Sequence, residues 1–190
     1  MFLLSLIRYA LLSLLAREPL SGYDIKQQMN DRFAPFWKAG SNQVYPELSK
    51  MESEELVTLI SVEQHSYRPA RKVYEITETG KTTLAEWTIE PKEVEKVRDD
   101  FLIKAYNSWM IPPAEMIERL KDIKVQHEER LAIYERKMVE LSEQFKLFDT
   151  SDPNFSSISV IQFGAQYERL YLAWCEDLIE KLSLSLQQQK

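Results

Sequence analysis

Three cations stand together with no acid among them: Arg68, Arg71 and Lys72 fall between Glu63 and Glu75. Guanidinium and ammonium groups clustered in this way neutralise phosphates, and each phosphate met releases condensed counterions. Upstream lies a second set of side chains, of the types that meet base edges, sugars and phosphates: Ser41, Asn42, Gln43, Tyr45 and Lys50. With Tyr67, which flanks the cationic run, these are the candidate nucleic-acid contacts. The same residues would be ordinary solvated surface if the elements carrying them faced elsewhere. Their meaning therefore depends on the fold.

Other chemistries find little material. The only histidines are His65 and His127, and Cys175 is the single cysteine. No Cys, His and carboxylate set has metal-ligand spacing, so no metal or other cofactor is expected. There is no glycine-rich phosphate loop and no nucleophile elbow, and a catalytic triad has few possible members. His127 falls on an apolar stripe and reads as a packed or interface histidine. Cys175 follows Trp174 and precedes Glu176 and Asp177, which suits a buried inert thiol better than a redox sensor.

Charge complicates a nucleic-acid reading. The chain has 190 residues, with 24 Lys and Arg against 30 Asp and Glu, for a net charge of -6. Screening limits the reach of exposed charges to roughly 8–10 Å, so location outweighs the sum. The apolar start, Met1 to Ile7, has no preceding positive segment and meets Arg8, unlike a signal peptide. No stretch reaches the roughly 18 apolar residues of a membrane span. A cytoplasmic protein with no membrane partner is expected.

The elements that must position the candidates follow from periodicity. With only four glycines, a mainly helical chain is expected. Leu3 to Ala16 carries apolar residues at helical spacing and stops before Pro19. Ser21 reads as an N-cap for a second helix, about Gly22 to Asp31, with Asp24 in its first turn. A third helix, about Asn42 to Glu54, must hold Pro46 in its first turn. Val44, Leu48 and Met51 share one face. Leu56 to Val62 and Val73 to Thr77 read as strands, joined by a long polar tip over residues 63–72. Thr77 caps a fourth helix. Three helices, a hairpin and a helix make a winged helix-turn-helix domain over residues 1–90. Its third helix would enter the major groove, and its wing tip would touch the backbone or the minor groove.

Beyond Pro91 only helical patterns remain. One runs from about Val94 to Ser108. Another starts at Pro112 and Pro113, with a stripe from Met116 and Leu120 through Ile123, His127, Leu131, Tyr134 and Met138 to Phe145 and Phe148. The last carries Val160, Phe163, Tyr167, Tyr171, Trp174, Leu178 and Leu182. Two such helices have wide faces to bury, and two copies could bury them together. Residues 91–190 are therefore expected to form an all-helical dimerisation domain. Its candidate interface is Leu120, Ile123, Leu131, Tyr134, Met138, Val160, Phe163, Tyr171 and Leu178. The aromatics Phe36, Trp37, Tyr106, Tyr167 and Trp174 could line a pocket for a small aromatic effector, or could equally be core.

Three blocks carry a family resemblance: Leu20-Ser21-Gly22-Tyr23-Asp24-Ile25, Gln43-Val44-Tyr45-Pro46-Glu47-Leu48, and Val73-Tyr74-Glu75-Ile76-Thr77-Glu78-Thr79-Gly80-Lys81. They resemble the PadR family of transcriptional regulators. Asp100 to Tyr106 resembles the start of that family's longer C-terminal helical domain. The resemblance implies a dimeric bacterial regulator, usually a repressor, that a small-molecule effector releases from operator DNA. Phenolic acid decarboxylase genes are one known target of such repressors. One departure stands out. Where the family has glycine after the recognition helix, this chain has Glu55. A left-handed turn there would cost ~1 kcal/mol. Two rival readings stay open: a winged-helix dimer that only binds proteins, and a small helical enzyme acting on an aromatic compound.

Overall fold

The computed structural model describes residues 2–33, 41–65, 68–92, 94, 99–142 and 149–188. The chain divides into two compact units, Met1–Glu93 and Val94–Lys190.

The first unit begins with helix α1 (Phe2–Leu15) and a two-residue strand β1 (Leu20–Ser21). Helix α2 (Gly22–Arg32) starts at Ser21, whose hydroxyl accepts from the Asp24 amide while the Asp24 carboxylate accepts from the Ser21 amide. This reciprocal box satisfies two amides that a helix N-terminus otherwise leaves bare. A 3₁₀ turn (Ser41–Gln43) leads into α3 (Val44–Ser53), with Pro46 in its first turn as its missing amide requires. Asn42 thus precedes the α-helix instead of opening it. Val44, Leu48 and Met51 go into the core beside Ile7, Leu11, Leu15 and Ile25, all nearly inaccessible.

Strands β2 (Val57–His65) and β3 (Arg68–Ile76) form the wing, and the sheet order is β1-β3-β2, all antiparallel. The pairing continues well past the stretch that alternation alone defines, to His65 opposite Arg68. The expected long tip is thus largely ladder. Strand pairing needs backbone groups but no apolar face, so the polar outer half carries no periodic signature. The register slips between Glu63 and His65, placing an extra residue on β3 in the stretch that holds Pro69. β1 is too short to announce itself, yet its pairing of Leu20 with Tyr74 fastens the wing root to the start of α2.

The turn from α3 into β2 closes the unit. The Glu55 amide donates to the Glu52 carbonyl at 3.1 Å and the Leu56 amide to the Met51 carbonyl at 2.9 Å. That double pattern is a Schellman motif, whose left-handed position usually falls to glycine. Here Glu55 occupies it at φ 57°. The turn is tied to α4 (Glu78–Ile89), because the Thr77 hydroxyl donates to the Glu55 carbonyl at 2.7 Å and caps α4 by accepting from the Gly80 amide at 3.0 Å. Gly80 lies against the Leu56 carbonyl, where a Cβ would stand 2.2 Å from the oxygen.

The second unit holds α5 (Asp100–Tyr106), a 3₁₀ turn (Ser108–Met110), α6 (Pro113–Ser142) and α7 (Pro153–Gln188). The two long helices run antiparallel: Lys124 pairs with Glu176, and Tyr134 lies against Gly164. A Cβ on Gly164 would fall 2.4 Å from the Tyr134 ring, so the glycine sets how closely the helices approach. Phe101, Met116, Leu120, Tyr171 and Cys175 form the core. The stripe predicts α6 well as far as Ser142; Phe145 and Phe148 lie outside the described residues. No helix among the described residues is long and apolar enough to cross a membrane.

Replacing Glu55 with glycine should raise stability by about 1 kcal/mol, by removing the cost of the left-handed backbone. Gly80→Ala should lower it, because the new methyl meets a backbone oxygen. Thermal and urea unfolding of both variants would test this; a Glu55→Gly protein no more stable than the parent would show the turn to be unstrained.

Candidate nucleic-acid interface

The core contacts of α3 decide which side chains it shows to solvent. Val44, Glu47, Leu48 and Met51 are buried, leaving Tyr45, Ser49 and Lys50 outside. Asn42 and Gln43 are exposed in the preceding turn, which Ser41 opens. The candidates Asn42, Gln43, Tyr45 and Lys50 are thus each exposed to solvent. The Tyr45 ring lies on Gly22 at the start of α2, where a Cβ would stand 2.5 Å from it, and the Lys26 ammonium is 6.0 Å from the ring centre. Gly22 therefore lets the two helices of the helix-turn-helix meet through Tyr45, which remains about half exposed.

In the wing, Arg71 and Lys72 are exposed on β3, opposite Glu63 and Val62. Arg68 begins β3, and Tyr67 lies outside the described residues. Arg71 has a partner that its sequence position does not suggest. Its Nη2 donates to Asp24 Oδ2 at 2.6 Å, tying the wing to the cap of α2. Partial burial alone would raise the Asp24 pKa, but the bonds from Arg71 and Ser21 outweigh it and hold that carboxyl below the ordinary carboxylate range.

Sequence reasoning also missed an ionic fork on α3. Arg8, on α1, donates to Glu47 at 2.8 Å and reaches Glu54 at 2.7 Å. Carboxylates on a helix that exposes Tyr45 and Lys50 look unhelpful for meeting phosphate, and no local pattern signals that α1 covers them.

The second unit places the remaining candidates. Leu120, Tyr134 and Tyr171 are buried within the chain itself, so their burial needs no partner. Ile123, Leu131, Met138 and Leu178 are half-buried, whereas Val160 and Phe163 are exposed, as is Leu170. Tyr167 and Trp174 pack around Tyr171, and Tyr106 is largely exposed. Phe36 and Trp37 lie outside the described residues. An open groove of about 780 Å³ runs beside α5 and α6, lined by Phe101, Met110, Met116, Arg119, Ile123 and Gln126; of the described aromatic candidates, Tyr106, Tyr167 and Trp174 do not line it.

His127 is packed, and more: it forms a buried pair with Glu168 and stacks on Tyr171 with ring centres 3.7 Å apart. The Tyr171 hydroxyl donates to Asp99 at 2.8 Å. Burial, then Asp99, pushes the Tyr171 hydroxyl well up. Burial also pushes the Cys175 thiol up to about 11, so it is no thiolate at neutral pH. Among the described residues no group of three or more His, Cys, Asp or Glu could hold a metal ion.

A helix-turn-helix with its polar face outward, followed by an antiparallel ribbon bearing cations, defines a winged helix-turn-helix protein. Residues 11–86 match the model of the transcriptional regulator PadR-like family, and residues 97–183 match that of the virulence activator alpha C-terminal domain. The chain is 29% identical over 174 residues to the negative transcriptional regulator PadR of Bacillus subtilis, covering 91% of this chain and 95% of that one. It also resembles two solved structures of B. subtilis PadR. In complex with operator DNA, that protein matches at TM-score 0.84 and 28% identity over 93% of this chain and 99% of the other. In complex with p-coumaric acid, it matches at TM-score 0.81 and 27% identity over 96% and 98%. Residues 11–86 thus belong to the PadR-like family of transcriptional regulators, and the likeness to B. subtilis PadR extends over nearly the whole chain.

Asp24 gives the site a pH signature. A carboxylate whose pKa is depressed by folding stabilises the protein fully above its unfolded value of about 3.9, and that contribution disappears as pH falls through the lower folded value. Asp24→Asn should therefore cost stability at pH 7, and the deficit should shrink as the pH falls below about 3.9. Urea midpoints of parent and variant across that range measure this; a deficit that does not change would mean that the Asp24 charge contributes nothing.

Proposed function

We propose that this protein is a DNA-binding transcriptional repressor that acts as a homodimer. It has no enzymatic activity and works in the cytoplasm. The observation that supports this best is the two-sidedness of α3: Val44, Leu48 and Met51 inside, Tyr45 and Lys50 outside, with Asn42 and Gln43 exposed just before them. A helix so placed offers amide, phenol and ammonium groups to base edges and phosphates. The wing adds Arg68, Arg71 and Lys72 for the backbone.

Two such heads can meet half-sites about 34–36 Å apart, one turn of DNA. The second unit would join them through α6 and α7, with Val160 and Phe163 as exposed apolar contacts. A small aromatic acid of the phenolic class is the proposed effector, as its complex with B. subtilis PadR suggests. It releases DNA only if it binds the non-operator conformation more tightly. One fact favours the rival reading of a protein-binding module: the net charge of -6.

Fluorescence anisotropy with the duplex upstream of the protein's own gene, over a salt series, separates the two. The repressor reading expects tight binding that weakens steeply with salt, a loss of salt slope of about 0.9 for each phosphate contact removed, as in Arg68→Ala with Arg71→Ala, and release by p-coumaric acid. Binding no tighter than to a random duplex at low salt would favour the protein-binding module.

A further inference from the structure

Arg8 grips α3 at two points. Its Nε donates to Glu47 Oε1 at 2.8 Å, and its terminal nitrogens reach the two Glu54 oxygens at 2.7 and 3.2 Å. Glu47 and Glu54 are seven residues apart, about two helical turns, and so share a face. Between them sits Lys50, whose ammonium stands 4.0 Å from Glu54. Exposure rises along this row: the Glu47 side chain is 7% exposed, Arg8 20%, Glu54 38% and Lys50 60%.

These distances decide a competition. Glu54 could pair with Lys50, four residues before it, but lysine preceding glutamate is the weaker order for such a pair. The Arg8 fork offers two contacts instead, one to each Glu54 oxygen at 2.7 and 3.2 Å, the two-point geometry that guanidinium makes best with carboxylate. Glu54 goes to Arg8, and Lys50 keeps only a long approach to it. A clamp whose task was solely to hold α3 against α1 would need only the buried Glu47. The second, rim-exposed carboxylate has a different consequence: its charge is drawn away from the exposed cation of the helix.

We infer that Arg8 is a positioning residue for nucleic-acid recognition: it fixes the rotation of α3 through Glu47 and holds Glu54 off Lys50, leaving that ammonium to a DNA phosphate. This rests on the reading of α3 as the DNA-reading helix. Arg8 itself touches no nucleic acid in this scheme.

The test uses the full chain and the same upstream duplex. Arg8→Met alone would strand the buried Glu47 carboxylate and risk unfolding α3, so the comparisons are made in a Glu47→Gln parent, with circular dichroism to confirm folding. In that parent, Arg8→Met should let Glu54 capture Lys50. Affinity should fall roughly threefold to tenfold and the salt slope by about one. Adding Glu54→Gln should restore both, and Lys50→Met in the parent should lower the slope by the same amount. A folded Arg8→Met protein with unchanged slope would overturn the inference. So would a loss that Glu54→Gln does not restore, since that marks a purely structural clamp. Unchanged slope in Lys50→Met, with the parent still binding the duplex, would overturn the inference and leave the repressor reading intact. A folded parent that does not bind the duplex, with wild type equally inert, would refute the repressor reading and the inference together.

Discussion

The ten residues of α3 make too short a helix to hold its shape in water, and its form depends on burying Val44, Leu48 and Met51 against α1 and α2. That single burial fixes everything the helix presents. Because side chains recur every 3.6 residues, committing one face to the core commits Tyr45, Ser49 and Lys50 to solvent. The turn after α3 is bound by the same demand. It must reverse the chain at once into β2, and it does so through a left-handed residue that the capped start of α4 pins in place. The wing, in turn, is held at its root by two residues of β1 and by the Asp24–Arg71 pair. Helix α3 and the wing are therefore oriented by one small core and a handful of polar ties.

Electrostatics in this molecule is local. An acidic protein can present cations only if its carboxylates are engaged nearby. Arg8 occupies Glu47 and Glu54 on α3, while Asp24 serves the α2 cap and Arg71. In the second unit Glu168 is engaged by His127. The exposed pairs, such as Arg8–Glu54 and Arg71–Asp24, contribute little to stability. Their larger effect is on which charges face outward, and within a Debye length that outweighs the sum over the chain.

Much of this was legible in the sequence. Helical spacing located α1, α2 and the long helices, Ser21 and Thr77 announced their caps, and Pro46 marked the first turn of α3. The blocks around Tyr45-Pro46 and Ile76-Thr77-Glu78-Thr79-Gly80 identified the family. What the sequence hid were contacts between residues far apart. Glu47 reads as surface until Arg8, 39 residues earlier, is seen above it. Glu168 sits among polar neighbours and gives no hint of a histidine partner 41 residues away. The outer wing escaped detection because residues 63–72 are polar, show no apolar alternation and include Pro69. The stripes of α6 and α7 were visible, but periodicity cannot distinguish burial against the same chain from burial against a second copy.

The most direct measurement is an NMR titration of the backbone amides with the upstream operator duplex. DNA reading by α3 and the wing predicts that the largest shift changes fall at Ser41–Lys50 and at Arg68–Lys72, with the amides of α7 little affected. Changes concentrated on α6 and α7, with α3 and the wing silent, would contradict it.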